Sequence, residues 1–253
     1  AFNYLLNKRI QAFGTKRVID SLRGEFAYIF HNTRYFGAPQ IDINIIDKKE
    51  FTVGELMVKS YLVSKNNKAF IIDPGAEGER LYNYLKNNNL ELKYIINTHG
   101  HFDHIAANDF LKKKTGAEIL AHPDAELKFK DPQLNLSQLF MNQNISSTAL
   151  DRALTDQEKI IFEGLKLKVI YTPGHSRDGI SIYIPEEKLV FSGDCIFANG
   201  IGRTDLEDSN LGQLKNSIEN KLFKLSDECT FYPGHGPKST LSMFKNRVWP
   251  QFK

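Results

Sequence analysis

Four residues with metal-binding side chains fall within six positions of the stretch THGHFDH, residues 98–104: His99, His101, Asp103 and His104. The whole chain has seven histidines, so three of them are concentrated here. A His-x-His pair on extended backbone projects both imidazoles to the same side. Asp103 and His104 follow where a helix is expected to start, aiming a carboxylate and a third imidazole at a neighbouring point. One tetrahedral zinc takes about four ligands. With more ligands elsewhere in the chain, this cluster points to two adjacent metal ions.

The other parts come from separate places. Thr172-Pro173-Gly174-His175 sets a histidine just past an apolar run, Ser192-Gly193-Asp194 ends another run with an acid, and Tyr232-Pro233-Gly234-His235 repeats the first design. Each stands beside a glycine, which permits a tight turn or a close backbone approach. Loops at strand ends, held by a rigid scaffold, are where catalytic residues concentrate. His31 and His122 lie outside this set. His122 follows an apolar run and reads as a packing or surface residue, and His31 as structural within an N-terminal extension. Cys195 reads as a small core residue. No GxSxG and no Cys-His arrangement competes for the chemistry.

The elements that must position these side chains alternate in type. Residues 57–64 and 68–73 read as strands around the Asn66-Asn67 turn, and 77–89 as a helix from its apolar spacing. A buried strand over 93–97 stops at Thr98. A helix over 103–115 ends at Gly116, and a strand over 117–122 follows. Residues 131–155 read as a long loop with helical pieces, of the kind that often lies over an active site. Strands are expected over 165–172, 180–185, 188–194 and 229–232, and helices over 210–225 and 239–247. This α/β pattern, with mixed strand–helix units in both halves, suggests two sheets packed face to face with helices outside. Residues 51–253 form the expected catalytic domain and 1–50 an N-terminal extension.

Composition narrows the class. The 253 residues are 41% hydrophobic and 25% charged, with a formal charge of +3, as in an ordinary globular protein. The scattered basic residues form no nucleic-acid motif or stripe. Two cysteines make no disulfide framework, so a reducing, intracellular setting is expected. No apolar run approaches the roughly 20 residues of a membrane span. Residues 1–24 are basic and hold Asp20 as their one acid. They read either as the remnant of an organellar transit peptide, in which case the protein is organellar rather than cytoplasmic, or as an amphipathic helix packed on the domain or on a second subunit.

The ordered series IIDPG, THGHFDH, TPGHS, SGD and YPGHG resembles the metallo-β-lactamase superfamily over about residues 51–240, and within it the glyoxalase II-like hydrolases. That resemblance implies a four-layer αββα sandwich with metals at one edge between the sheets. It implies that His99, His101 and His175 hold a first metal, that Asp103, His104 and His235 hold a second, and that Asp194 bridges them. Asp73, in the DPG turn, would orient ligands from behind. The implied ions are two divalent metals, zinc first, with iron or manganese as alternatives. The implied reaction is hydrolysis of glutathione thioesters of the S-D-lactoylglutathione type, by a metal-bridging hydroxide that Asp103 orients or relieves of its proton.

Departures from the family pattern refine this. Gly100 stands where two-domain glyoxalase II tends to carry a histidine, and with Lys253 soon after His235 the glutathione-gripping helical domain of that enzyme is not expected here. The segment GIGRTDL, 200–206, is similar to single-domain, bacterial-type proteins, with Arg203 a candidate contact either for a substrate carboxylate or for the metal-binding side chains from behind. The same element occurs in persulfide dioxygenases, which keep the ligand set but use only the equivalents of His99, His175 and Asp194 around one iron. Those enzymes commonly end the last motif with Ala-His-Asp, where this chain has Gly-His-Gly. That enzyme, acting on glutathione persulfide, is the alternative, and a metal-holding interaction protein is the non-enzyme alternative. Ala106 and Ala107 replace the usual Gly-Gly. Glutathione would be held by loops at 131–155 and 199–210, or by a second subunit of a homo-oligomer.

Overall fold

The computed structural model describes residues 10–14 and 41–253, with side chains from Ile46 onward. A short parallel pair, β1 (Ile10–Gly14) and β2 (Ile41–Ile45), stands alone. Ile10–Gly14 is therefore extended where an amphipathic helix was one expectation for residues 1–24. His31 lies outside the described residues.

Two six-stranded sheets follow. The first is ordered β3 (Asp47–Val53), β4 (Val58–Lys65), β5 (Lys68–Ile72), β6 (Glu91–Ile96), β7 (Glu118–Ala121) and β8 (Arg152–Ala153). Its first strand begins slightly before residue 51 and pairs with β4 over its whole length. The second is built from β9 (Lys159–Phe162), β10 (Leu165–Tyr171), β11 (Ile180–Ile184), β12 (Leu189–Gly193), β15 (Thr230–Pro233) and β16 (Ser239–Thr240). The intervening β13 (Ile196–Phe197) and β14 (Gly200–Ile201) form a separate small hairpin.

Period-two alternation explains the layering. Tyr61, Val63, Phe70, Ile72, Ile96 and Leu120 face the second sheet, and their neighbours Leu62, Ala69, Ile71, Ile95 and Ile119 face helices. These outer partners come from α1 (Gly78–Asn87), α3 (Asn108–Thr115) and α4 (Ala125–Lys130). Strands buried on both faces read as nearly continuous apolar runs, which is why FII and YII were legible as buried strands. On the far side, Val190 and Phe231 pack on α6 (Leu211–Asn220), Phe244 and Trp249. The result is the expected αββα sandwich, with Phe70 and Phe162 meeting edge to face between the sheets.

One expected helix is divided, and the expected loop with helical pieces gains a short strand. The helix over 103–115 is two pieces, α2 (Phe102–Ile105) and α3, because the Ala107 N–H turns aside to donate to the Pro74 carbonyl at 2.9 Å. The loop over 131–155 contains α5 (Ser137–Met141) and β8. Strand β9 and the hairpin β13–β14 were not anticipated, being too short to show periodicity.

Strand direction decides where the chemistry gathers. β5 and β6 run parallel, as do β12 and β15, and β10 runs with β12 across the antiparallel β11. Asp73, His99, His175, Asp194 and His235 thus leave their strands at one end of the sandwich. Cross-sheet bonds close that end: Lys59 N–H to Gly234 O at 2.7 Å, Tyr61 Oη–H to Pro233 O at 2.7 Å, and Ile180 N–H to Thr98 O at 2.8 Å.

Candidate metal centre

His99, which follows β6 after a two-residue turn, and His101, at the threshold of α2, project their rings into a common space with His175. His99 Nε2 lies 2.9 Å from His101 Nδ1, and His175 Nε2 lies 3.2 Å from the same atom. Three ring nitrogens converging this closely make a donor set for a cation. A second group, Asp103, His104 and His235, gathers beside it. His235 Nε2 is 3.2 Å from Asp103 Oδ2, and His104 Nε2 is 3.7 Å from the same carboxylate. Asp194 stands between the groups, 3.6 Å from each of His104 Nε2, His175 Nε2 and His235 Nε2. All seven residues named from the sequence are brought together.

The surroundings aim these nitrogens. His175 Nδ1 lies 3.0 Å from the Arg203 carbonyl, His235 Nδ1 3.0 Å from the Leu56 carbonyl, and His104 Nδ1 3.0 Å from Asp73 Oδ2. The two carbonyls fix tautomer and ring orientation of His175 and His235, and the Asp73 carboxylate lies against His104 as a charge contact without hydrogen-bond alignment, so each Nε2 is directed inward. Asp73 also accepts from Thr98 N–H and Thr98 Oγ–H, both at 2.7 Å, so it ties the metal loop to the DPG turn. A Cβ on Gly234 would overlap Asp194 Oδ1 and crowd His104. Glycine is what lets that loop approach.

Among the described residues, buried His101 Nε2, both ring nitrogens of His104 and Asp194 Oδ1 have no hydrogen-bond partner, and of these His104 Nε2 and Asp194 Oδ1 face the donor groups. Buried polar atoms in proteins are almost always paired, so these two fit residues arranged around a cation that would satisfy them. The mixed imidazole and carboxylate donors suit zinc, iron or manganese.

Electrostatics separates the two groups. Burial, then the neighbouring imidazoles, holds His99 and His101 well below the usual imidazole range. Burial works against charging His104 as well, but Asp103, Asp73 and Asp194 outweigh it and push that ring up to about 10. His235 is also raised, against its burial, by Asp103 and Asp194. In the metal-free protein a charged His104 thus contributes stability that is present below the unfolded value near pH 6.5 and is lost as pH rises through about 10. Ligation requires neutral imidazole. Metal uptake by the His99 group should therefore release few protons at neutral pH, whereas uptake by the His104 group should displace protons from His104 and His235. Its affinity should rise with pH by about tenfold per unit for each displaced proton. Calorimetric titration in buffers of different ionisation enthalpy measures this, and equal proton release in both steps would contradict it.

Arg203 stands behind the cluster, one of the two places expected for it. Its guanidinium pairs bidentately with Asp205 at 2.7 Å and lies 5.7 Å from the Phe140 ring, and its main-chain oxygen is what meets His175. His122 stacks on Tyr171, with ring centroids 4.5 Å apart, and takes no part in the cluster. Cys195 is buried and its thiol is pushed up to about 12, chiefly by burial.

A model of the metallo-beta-lactamase superfamily matches residues 53–235. The chain belongs to this superfamily. It is 33% identical over 187 residues to the hydroxyacylglutathione hydrolase GloC of Haemophilus influenzae, covering 74% of this chain and 88% of that one. Among solved structures, the BLEG-1 B3 metallo-beta-lactamase aligns with a TM-score of 0.77 at 32% identity, covering 79% of this chain and 97% of that one. TTHA1623 in a di-iron-bound form aligns with a TM-score of 0.72 at 29% identity, covering 79% and 98%. Superfamily membership makes this chain a metallo-hydrolase-type protein whose His/Asp cluster could hold metal. No helix among the described residues is long and apolar enough to cross a membrane.

Proposed function

We propose that the protein is a metal-dependent hydrolase of glutathione thioesters of the S-D-lactoylglutathione type, releasing a hydroxy acid and glutathione. The observation that carries this reading is the second donor group. Single-iron persulfide dioxygenases keep these residue types without using them as ligands. Here Asp103, His104 and His235 are assembled, partly or fully buried, against the first group, with His104 Nε2 and Asp194 Oδ1 left unpartnered between them. The last motif also reads Gly-His-Gly, where those dioxygenases commonly carry Ala-His-Asp. On this reading His99, His101 and His175 hold one divalent ion, Asp103, His104 and His235 the other, and Asp194 both. Zinc is the first choice, and the di-iron form of TTHA1623 keeps iron in play. Two bound ions supply a water acidic enough to act as nucleophile near neutral pH and a Lewis acid for the carbonyl.

The protein's own groups do the rest. Asp103 lies at the mouth of the cluster with its Oδ2 directed toward His235, where it orients the attacking water and accepts its proton. Leu56, Met57 and Phe140 expose apolar surface, and Phe197 flanks His235. Arg203 and Phe140 join the loops at 199–210 and 131–155. Glutathione would lie there, with Arg203 exchanging Asp205 for a substrate carboxylate. The name of GloC supports this substrate class.

Zinc-loaded protein should hydrolyse S-D-lactoylglutathione faster than it opens a β-lactam, the competing substrate class suggested by the name of the BLEG-1 metallo-beta-lactamase. Arg203→Ala should raise KM about tenfold, the value of one charge-assisted bond, with kcat little changed. Absence of thioester turnover, together with oxygen uptake on glutathione persulfide by protein holding one iron, would overturn the proposal.

A further inference from the structure

Beside the cluster lies a buried ion pair that the chemistry above does not use. Asp178 is fully buried on the loop between β10 and β11, and Lys128 of α4 is nearly so. Lys128 Nζ stands 2.9 Å from Asp178 Oδ1 and 2.6 Å from Asp208 Oδ2, and it also meets the Ser176 hydroxyl, which in turn donates to Asp178. Asp208 accepts from the Arg177 N–H at 3.1 Å. The remaining oxygen of Asp178, Oδ2, accepts from the Gly100 N–H at 2.6 Å.

Gly100 is the residue between His99 and His101. Its peptide sets the distance and tilt between two rings whose nitrogens stand 2.9 Å apart. A Cβ there would meet Lys128 Cβ at 2.7 Å and Asp178 Oδ2 at 3.2 Å, so the loop is pressed onto the ion pair from one side. Three elements converge on that peptide: α4 through Lys128, the His175 loop through Ser176 and Asp178, and the segment before α6 through Asp208. A buried ion pair is weak evidence for stability, since apolar replacements of similar size are often neutral or better. What an apolar pair cannot supply is an acceptor for the Gly100 N–H.

We infer that Asp178, held in place by Lys128, is a positioning residue that fixes the Gly100 peptide so that His99 and His101 converge on the first metal. This inference rests on the reading of the His/Asp cluster as a metal centre. The pair touches no donor atom of the cluster directly. Its effect is on ring placement, and is therefore confined to the first site.

Two double variants separate positioning from packing. Asp178→Leu with Lys128→Met removes both charges and the acceptor. Asp178→Asn with Lys128→Met removes both charges but keeps a carbonyl oxygen for Gly100. Cobalt(II) titration of metal-free protein, followed by visible absorption, reads affinity and ligand geometry without any substrate. The Leu/Met pair should bind the first cobalt about 10–100-fold more weakly, the range for loss of an outer partner, with a changed absorption band and an unaltered second step. The Asn/Met pair should stay close to the parent. Equal first-site affinity and spectra in both double variants, whether intact or equally weakened, would overturn the inference. Should the Leu/Met protein not fold, Asp178→Ala with Lys128→Met takes its place with the same two outcomes. Failure of the parent itself to take up cobalt would instead overturn the metal-centre reading.

Discussion

Asp194→Ala is expected to lose both metal sites while leaving the fold intact. Its two oxygens stand 3.6 Å from three imidazole nitrogens that belong to different donor groups, and Oδ1 has no other hydrogen-bond partner. The bend that delivers it, with Gly193 in left-handed backbone and Gly234 closing over Oδ1, depends on glycines rather than on the carboxylate. Thioester turnover should therefore fall by more than the roughly 100-fold typical of losing an outer partner. The same variant gives a second readout. Metal that binds only the native state raises stability by about 4 kcal/mol when present at about 1,000 times its Kd. The parent should show such a gain in urea denaturation with and without chelator. Asp194→Ala should show little, with its metal-free stability close to that of the metal-free parent. A variant that kept the metal-dependent gain would show that Asp194 is not a shared ligand.

Much of this architecture was legible because local pattern and tertiary burial agree. The strands around Phe70-Ile71-Ile72 and Tyr94-Ile95-Ile96 are apolar on both faces, and the site residues follow strands directly, so the spacing of THGHFDH and the Pro-Gly-His turns carried over into space. What was not legible depends on contacts between distant segments. The break at Ala106-Ala107 is made by Pro74, more than thirty residues earlier in the chain. Lys128 reads as one surface lysine among many, and its burial follows from Asp178 and Asp208. Asp178 could have been noticed as an acid three residues past His175, but its partner Gly100 could not. Arg203 could be singled out by its motif, but that its carbonyl rather than its guanidinium meets His175 depends on the fold of the 199–210 loop.

Asp73→Asn should weaken the second metal site selectively, although the change swaps only one oxygen for an NH2. Asp73 is buried in left-handed backbone, with its own carbonyl held by the Ser60 hydroxyl at 2.6 Å. Oδ1 accepts from Thr98 N–H, and an asparagine oxygen can keep that bond. Oδ2 accepts from Thr98 Oγ–H and lies 3.0 Å from His104 Nδ1 as a charge contact, and an amide NH2 can neither accept from the hydroxyl nor face a protonated Nδ1 without setting donor against donor. The threonine hydroxyl can rotate and accept instead. The imidazole has no such freedom: to avoid facing a donor with a donor it must place its proton on Nε2, the nitrogen that faces Asp103 and Asp194. The tautomer that binds metal is then the costly one. Second-site affinity should drop about 10–100-fold, the first site should change far less, and stability should fall by about 1–3 kcal/mol for the unsatisfied buried groups. Stepwise cobalt titration and urea denaturation measure both. An asparagine variant with an unchanged second step would reduce Asp73 to a turn-forming acid and would remove the DPG motif from the chemistry of the site.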